Sequence, residues 1–122
     1  MQRKALGALP RSRPGAAGLS GDSSVPAGYH TEVRYAAAVF GIHGAEKRCL
    51  KILWNEESGW NPDAVNPTSD AYGIPQALPA AHGHPYALGD WQGQIRWGWR
   101  YITGRYGDPC TALAHENAAG WY

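Results

Sequence analysis

One acidic segment and the turn that follows it carry the residue types best suited to chemistry in this chain. Residues 53–59 read LWNEESG, and residues 71–76 read AYGIPQ. A carboxyl group placed beside tryptophan at the end of an apolar helix is poorly hydrated, which favours its protonated form and raises its pKa. The segment therefore predicts a general acid, facing a glycine-containing turn.

Helical periodicity selects Glu57 rather than Glu56 as that acid. A helix is predicted from about Ala45 to Ser58, and its expected apolar face consists of Cys49, Leu50, Ile52, Leu53 and Trp54. Glu57 comes four residues after Leu53, so it projects near the middle of this face, whereas Glu56 lies nearer the edge. The helix dipole also disfavours a negative charge at this end. The alternative interpretation is a solvated acid at a helix terminus.

Three further helices are predicted around this one, and no convincing strand is present. Thr31 is expected to cap a first helix that ends at Gly41, and Asp90 to cap a third that runs through Tyr106. Asp108, followed by proline, predicts the start of a short last helix. Residues 77–89 are expected to form a loop. The fold class is therefore all-α, in a small, mainly helical domain.

Length and composition indicate one domain with an N-terminal extension. The chain has 122 residues and a net charge of +1, which gives no indication of nucleic-acid binding. Residues 1–28 are rich in Gly, Pro, Ser, Ala and Arg and are expected to be a disordered leader or linker, followed by a domain over residues 29–122. No apolar run is long enough to span a membrane, and the N-terminus carries no recognisable export signal.

Two cysteines and an unusual set of aromatic residues add further constraints. Cys49 and Cys110 are too far apart for a CxxC site. They are either free thiols, as expected in the cytosol, or a disulfide that closes a loop of about 60 residues and stabilises the fold by roughly 4 kcal/mol. The chain has six Trp and seven Tyr but one Phe. These rings suit either core packing or platforms for sugar rings.

Several separated motifs resemble one known family. Besides Glu57-Ser58 and residues 71–76, they are residues 94–98 (QIRWG), 101–102 (YI), 105–107 (RYG) and the ending 114–122, which finishes in GWY. Their order is similar to that in the transglycosylase domain of the lysozyme-like superfamily, in the small type found in actinobacterial secreted proteins and aggregation-promoting factors. The resemblance covers about residues 30–122.

This resemblance implies a lysozyme-like α-helical fold that cleaves the β-1,4 bond between N-acetylmuramic acid and N-acetylglucosamine in peptidoglycan. Glu57 would act as the single acid and base, first protonating the glycosidic oxygen and then accepting the proton of the muramyl C6 hydroxyl. The product would carry a 1,6-anhydro end. No carboxylate nucleophile and no cofactor are implied, unlike the usual scheme with two carboxylates.

The resemblance also implies roles for four other residues. Tyr72 would stack on or orient the sugar, Gln76 would hydrogen-bond it, and Ser58 would support the acid or contact an N-acetyl group. His115 would border the cleft. For Tyr72 and Gln76 the alternative is packing within a turn, and for His115 it is a structural role.

A disulfide between Cys49 and Cys110 is implied by a matching cysteine pair in many actinobacterial relatives, and would join the catalytic helix to the last helix. The expected setting is the extracellular space or cell envelope, the expected partner is the peptidoglycan glycan strand, and the expected state is a monomer.

Two departures from the family pattern bear on the mechanism. Asp70 stands where relatives usually have glycine; it is either a turn residue or, if it reaches the cleft, a group that orients water and favours hydrolysis. His82 and His84 form an H-x-H pair without evident further ligands, so no metal site is predicted. The alternatives to a transglycosylase are therefore a hydrolytic muramidase and a catalytically silent module for wall binding or aggregation.

Overall fold

A computed structural model describes residues 27–122, which form an all-α domain, as predicted. A 3-10 turn over Ala27–Tyr29 leads into five helices: α1 His30–Phe40, α2 Gly44–Ser58, α3 Pro79–His82, α4 Trp91–Arg105 and α5 Pro109–Ala119. Two isolated β-bridges join Tyr72 to Val65 and to Ala77. Apart from its last two residues, the predicted leader over residues 1–28 lies outside the described residues.

The first helix begins two residues earlier than predicted. Tyr29 is its N-cap, no side chain caps it, and Thr31 lies inside the first turn, so the predicted Thr31 cap is wrong. The reason is the 3-10 turn that precedes the helix, because the chain is already coiled before Thr31 can act as a cap. Gly41 ends the helix in a left-handed conformation (φ 68°), as the sequence predicts.

Helix α2 is central to the domain and packs against α5. The Cys49–Cys110 disulfide joins the two helices, with the Cα atoms 5.0 Å apart, which confirms the predicted bridge. A side-chain oxygen of Glu46 also accepts a hydrogen bond from the Cys110 amide at 3.1 Å. The predicted cap of α5 is present as well, because Asp108 accepts from the Thr111 amide at 2.7 Å. The C-terminal helix is thus fixed along the helix that carries Glu57.

The buried face of α2 differs from the predicted face at Ile52. Leu50, Leu53 and Trp54 are essentially buried, whereas Ile52 is 37% exposed. At about 100° per residue, Ile52 lies about 200° around the helix from Leu50, so it cannot share a face with it. Around the same helix Glu57 lies only about 20° from Leu50, in the direction away from Trp54, and it is buried.

The side chain of Trp54 in α2 lies against helix α4 at Gly98. The Cβ of an alanine at Gly98 would lie 2.6 Å from Trp54 Cζ2 and 2.9 Å from Pro75 Cγ, so only glycine fits between them. Ile95 and Ile102 are fully buried on the same face of α4. Trp99, one turn after Ile95, is half-buried and stacks on Phe40 with ring centroids 4.4 Å apart.

The connection between α2 and α4 is tightly organised rather than an open loop. It contains α3, one turn that begins at Pro79, where residues 77–89 were expected to be a loop. Proline is favoured at the first helical position because it has no N–H to leave unsatisfied. Across residues 27–122, no helix is long and apolar enough to cross a membrane.

Candidate active site

Glu57 lies in the last turn of α2 and is almost completely buried. Its exposed fraction is 2%, which confirms that the side chain points inward, while the neighbouring Glu56 is half-buried. Gly59 ends the helix in the left-handed conformation immediately afterwards (φ 68°). The carboxyl group is therefore held at a helix terminus, at the boundary between the core and the following turns.

Ser58 fastens the end of this helix to the turn opposite. Its Oγ donates a hydrogen bond to the carbonyl of Ile74 at 2.8 Å, and the amide of Ile74 donates to Gln94 Oε1, also at 2.8 Å. The turn over residues 71–77 is consequently held between α2 and α4. Ser58 is 2% exposed, which places its hydroxyl in this internal contact.

Gln94 organises three segments from one fully buried position. Besides accepting from Ile74, its amide nitrogen donates to the carbonyls of Pro62 at 3.1 Å and Ala87 at 3.0 Å. A Cβ at Gly73 would lie 2.9 Å from the Gln94 side chain and 2.7 Å from a Tyr86 ring carbon, and Gly73 also has φ +76°. The turn can approach Gln94 this closely only because it has glycine there.

Tyr72 and Tyr86 form a reciprocal pair next to this turn. The Tyr72 hydroxyl donates to the carbonyl of Tyr86 at 2.6 Å, and the Tyr86 hydroxyl donates to the carbonyl of Tyr72 at 2.7 Å. Burial raises the pKa of both hydroxyls. For Tyr86 the charges of Tyr72 and Glu57 raise the pKa further.

Tyr122 approaches Glu57 from the other end of the chain. Its side chain is fully buried, its hydroxyl accepts from Trp54 Nε1 at 2.8 Å, and it donates to the carbonyl of Pro75 at 3.1 Å. Burial raises the pKa of Tyr122 well above its usual value, and the charge of Glu57 adds to the effect. The last residue of the chain thus links α2 to the turn over residues 71–77.

A second buried carboxyl group, that of Glu116, was missed in the sequence. It lies in α5, is 4% exposed, and its charge raises the pKa of Tyr106 and of Tyr122 after the larger effect of burial. Pro109, Ala112 and Glu116 are the buried residues of α5. Their spacing at i, i+3 and i+7 is a helical stripe, and this signal could have identified Glu116 as inward-facing.

Gln76, predicted to bind sugar, is engaged within its own turn. It is 3% exposed and has φ +61°, and its amide nitrogen donates to the carbonyl of Gly73 at 3.1 Å. A second, longer contact joins the same nitrogen to the carbonyl of Ala64 at 3.5 Å. These contacts fit the turn-packing interpretation, and the predicted sugar contact stays a prediction.

Half-buried rings continue from the tyrosine pair along α4. Trp97 lies edge-on to Tyr86 at 5.6 Å and stacks on Tyr101 at 5.6 Å with an interplanar angle of 14°. His82, from α3, contacts both Trp97 and Tyr101 edge-on, at 5.2 and 5.4 Å. Burial lowers the pKa of His82, and the charge of Arg105 lowers it further, so the imidazole is favoured in its neutral form.

His115 lies in a second aromatic group, next to the first. Its Nδ1 is 2.9 Å from the carbonyl of Trp121 and 3.4 Å from the hydroxyl of Tyr106. The guanidinium of Arg105 lies over both the Trp121 ring, at 5.3 Å, and the Tyr106 ring, at 5.6 Å. Tyr106 in turn contacts Tyr101 edge-on at 6.4 Å, so the aromatic groups are continuous.

A cavity of about 500 Å³ lies beside the tyrosine pair. It is lined by Val65, Asp70, Tyr72, Pro79, His84, Tyr86, Ala87 and Leu88. Glu57 is not part of this lining. Asp70 is exposed and has φ +66°, a conformation that favours glycine and that aspartate tolerates better than most residues. His84 reaches the Tyr72 ring at 5.6 Å.

The predicted site residues therefore form a connected group, but with different surroundings. Glu57, Ser58, Tyr72 and Gln76 lie around one turn, whereas His115 lies with the terminal aromatic residues. Within residues 27–122, no three His, Cys, Asp or Glu side chains come together in a way that could hold a metal ion. The chain matches no family profile, no curated protein and no solved structure.

Proposed function

We propose that this protein is a peptidoglycan lytic transglycosylase, with Glu57 as its acid and base. The observation that carries the proposal is the near-complete burial of this carboxyl group at the end of α2, where it is 2% exposed. A carboxyl removed from water favours its protonated form, which is the form that can donate a proton to a glycosidic oxygen. The motif order that resembles the transglycosylase family points to the same chemistry.

The reaction would proceed in two proton transfers at one carboxyl group. Glu57 donates its proton to the bridging oxygen as the bond from the muramyl C1 breaks. The carboxylate then accepts the proton of the C6 hydroxyl as that oxygen bonds to C1, which closes the 1,6-anhydro ring and restores the acid. The nucleophile belongs to the substrate, so the protein need not supply a second carboxylate.

The surroundings of Glu57 suit this role because they are rigid. Ser58, Gln94 and Tyr122 each bond across to the turn over residues 71–77, at 2.8 to 3.1 Å. A proton donor held by such supporting contacts needs little reorganisation during the reaction. The turn and the helix end thus form one unit around the acid.

The aromatic residues supply a surface for the glycan strand. Trp97, Tyr101 and His82 are half-buried and present ring edges and faces beside the Tyr72–Tyr86 pair. Amphipathic rings that are partly exposed suit the apolar faces of sugar rings. Tyr72, Gln76 and His115 are proposed to border this surface, and Ser58 to support the acid through the helix end.

The disulfide supports an extracellular or envelope setting. Cys49 and Cys110 are bonded, and bridges of this kind persist mainly in oxidising compartments. We propose that the protein acts there as a monomer on glycan strands.

The decisive experiment is mass spectrometry of the soluble fragments released from purified peptidoglycan. Wild type should release 1,6-anhydromuramyl products, and Glu57→Gln should release none, because an amide cannot donate the proton. Glu56→Gln is the matched control, since it removes the adjacent and more accessible carboxyl from the same helix turn; it should stay near the wild-type rate. Equal loss in both variants would contradict the assignment of Glu57.

Two other outcomes would change the assignment itself. Products with reducing muramic acid ends that depend on Glu57 would make the protein a muramidase. Retention on insoluble peptidoglycan without any soluble product would make it a wall-binding module, for which the half-buried rings would still provide the surface.

A further inference from the structure

The cavity beside the tyrosine pair is large enough for a ligand of its own. Its volume of about 500 Å³ lies within the usual range for small-molecule pockets, about 300 to 1,000 Å³. Tyr72 and Tyr86 line the cavity, and Tyr72 belongs to the turn over residues 71–77, which Ser58, the neighbour of Glu57 in sequence, contacts through the carbonyl of Ile74. A substrate bound at Glu57 could therefore place a substituent in the cavity.

The lining determines what kind of group fits. Val65 and Leu88 are about half exposed and give the cavity apolar walls, together with Pro79 and the two tyrosine rings. Asp70 is the acidic residue among the described lining residues, His84 contributes an imidazole, and none of these is Lys or Arg. An anionic group would meet the Asp70 carboxylate here without a lysine or arginine to pair with it. An alkyl chain that ends in an ammonium group would match both the walls and the carboxylate.

We infer that this cavity binds a primary alkylammonium group carried by the substrate, with Asp70 as its counter-ion. This inference rests on the proposed function, and it adds a preference for substrates with a free amine that the cleavage step alone does not require. Peptidoglycan carries such amines on the diamino residue of stem peptides that are not cross-linked, and primary amines also occur on sugars that lack their N-acetyl group. Cross-linking turns the stem amine into a neutral amide, so the cavity would favour strands with free stems.

The test uses binding rather than turnover, so that it does not depend on catalysis. Glu57→Gln protein is titrated calorimetrically with a soluble stem-bearing muropeptide and with the same muropeptide acetylated on its free amine. We expect acetylation to weaken binding about tenfold, the effect of one charge-assisted hydrogen bond. A partly deacetylated chitin oligomer and its fully acetylated form make the same comparison for the sugar amine.

Substitutions then locate the effect. Asp70→Asn removes the charge but keeps a side chain that tolerates a positive φ, and it should abolish the preference for the free amine. Asp63→Asn is the matched control, since Asp63 is an exposed acid in the same connection outside the cavity lining, and it should retain the preference.

The outcomes separate this inference from the proposed function. Equal affinity for free and acetylated amines of both kinds, or a preference that survives Asp70→Asn, would overturn the cavity assignment even if the anhydro products appear. An amine preference that Asp70→Asn removes would support it even if no glycan is cleaved. Comparing the muropeptide pair with the chitin-oligomer pair shows whether the cavity binds the stem amine or the sugar amine.

Discussion

Removing the Tyr122 hydroxyl should destabilise the whole arrangement around Glu57. In Tyr122→Phe the ring stays, so no large cavity forms, but Trp54 Nε1–H loses its acceptor and the carbonyl of Pro75 loses its donor. Both groups belong to the buried network around a fully buried side chain. An unsatisfied buried polar group costs about 1 to 3 kcal/mol, so the two together should lower the free energy of unfolding by about 2 to 6 kcal/mol.

Guanidinium unfolding followed by tryptophan fluorescence measures this change. The matched control is Tyr35→Phe, because the Tyr35 hydroxyl accepts a hydrogen bond from Arg96 at 2.7 Å in an exposed position. Loss of that surface contact should change stability by no more than about 0.5 kcal/mol. If Tyr122→Phe and Tyr35→Phe had equal stabilities and equal denaturant slopes, the claim that the terminal tyrosine holds α2 to the turn would be refuted.

Two further predictions concern the N-terminal end of α5. The double variant Cys49→Ala/Cys110→Ala should lose about 4 kcal/mol in the chain-entropy model for a separation of 61 residues, and its melting temperature should fall by about 20 °C. Reduced wild type should melt at nearly the same temperature as the variant. A decrease in melting temperature of less than about 5 °C in both would contradict the chain-entropy estimate. For Asp108, the hydrogen bond from Thr111 lowers the pKa below 3.8, so its stabilisation is complete above that pH and is lost as the pH falls through the folded value. The free energy of unfolding of wild type should therefore fall between about pH 5 and about pH 2 by an amount that Asp108→Asn, with its uncharged acceptor, does not show. If the difference in free energy of unfolding between the two proteins were the same at every pH, this role of the Asp108 cap would be contradicted.

The helices were predictable because their signals are local. Asp90 and Asp108 accept from amides three residues on, and Gly41 takes the left-handed conformation, so short segments of sequence specify these ends. Thr31 shows the limit of such reasoning. Its residue type suits a cap, but the conformation of the preceding residues decides whether a cap forms. A pattern of residue types does not specify that conformation.

The site was predictable only in part, for a related reason. The inward position of Glu57 follows from its spacing to Leu53, a property of one helix. Tyr86 and Tyr122 reach the same region from a loop and from the chain terminus, through hydrogen bonds across 14 and 68 positions of sequence. No spacing rule connects residues so far apart, because their meeting depends on the packed arrangement of α2, α4 and the turn.

The positions of the motif residues bear on what their resemblance to the family means. The side chains of Ser58, Gln76 and Tyr122 all donate hydrogen bonds to carbonyls of the turn over residues 71–77, and each is buried. Such contacts are required to hold a carboxyl and a turn in fixed positions, whatever ligand they meet. We therefore expect substitutions at these three residues to change stability and turnover together, whereas substitutions of the half-buried ring of Trp97 should change substrate affinity with little effect on folding.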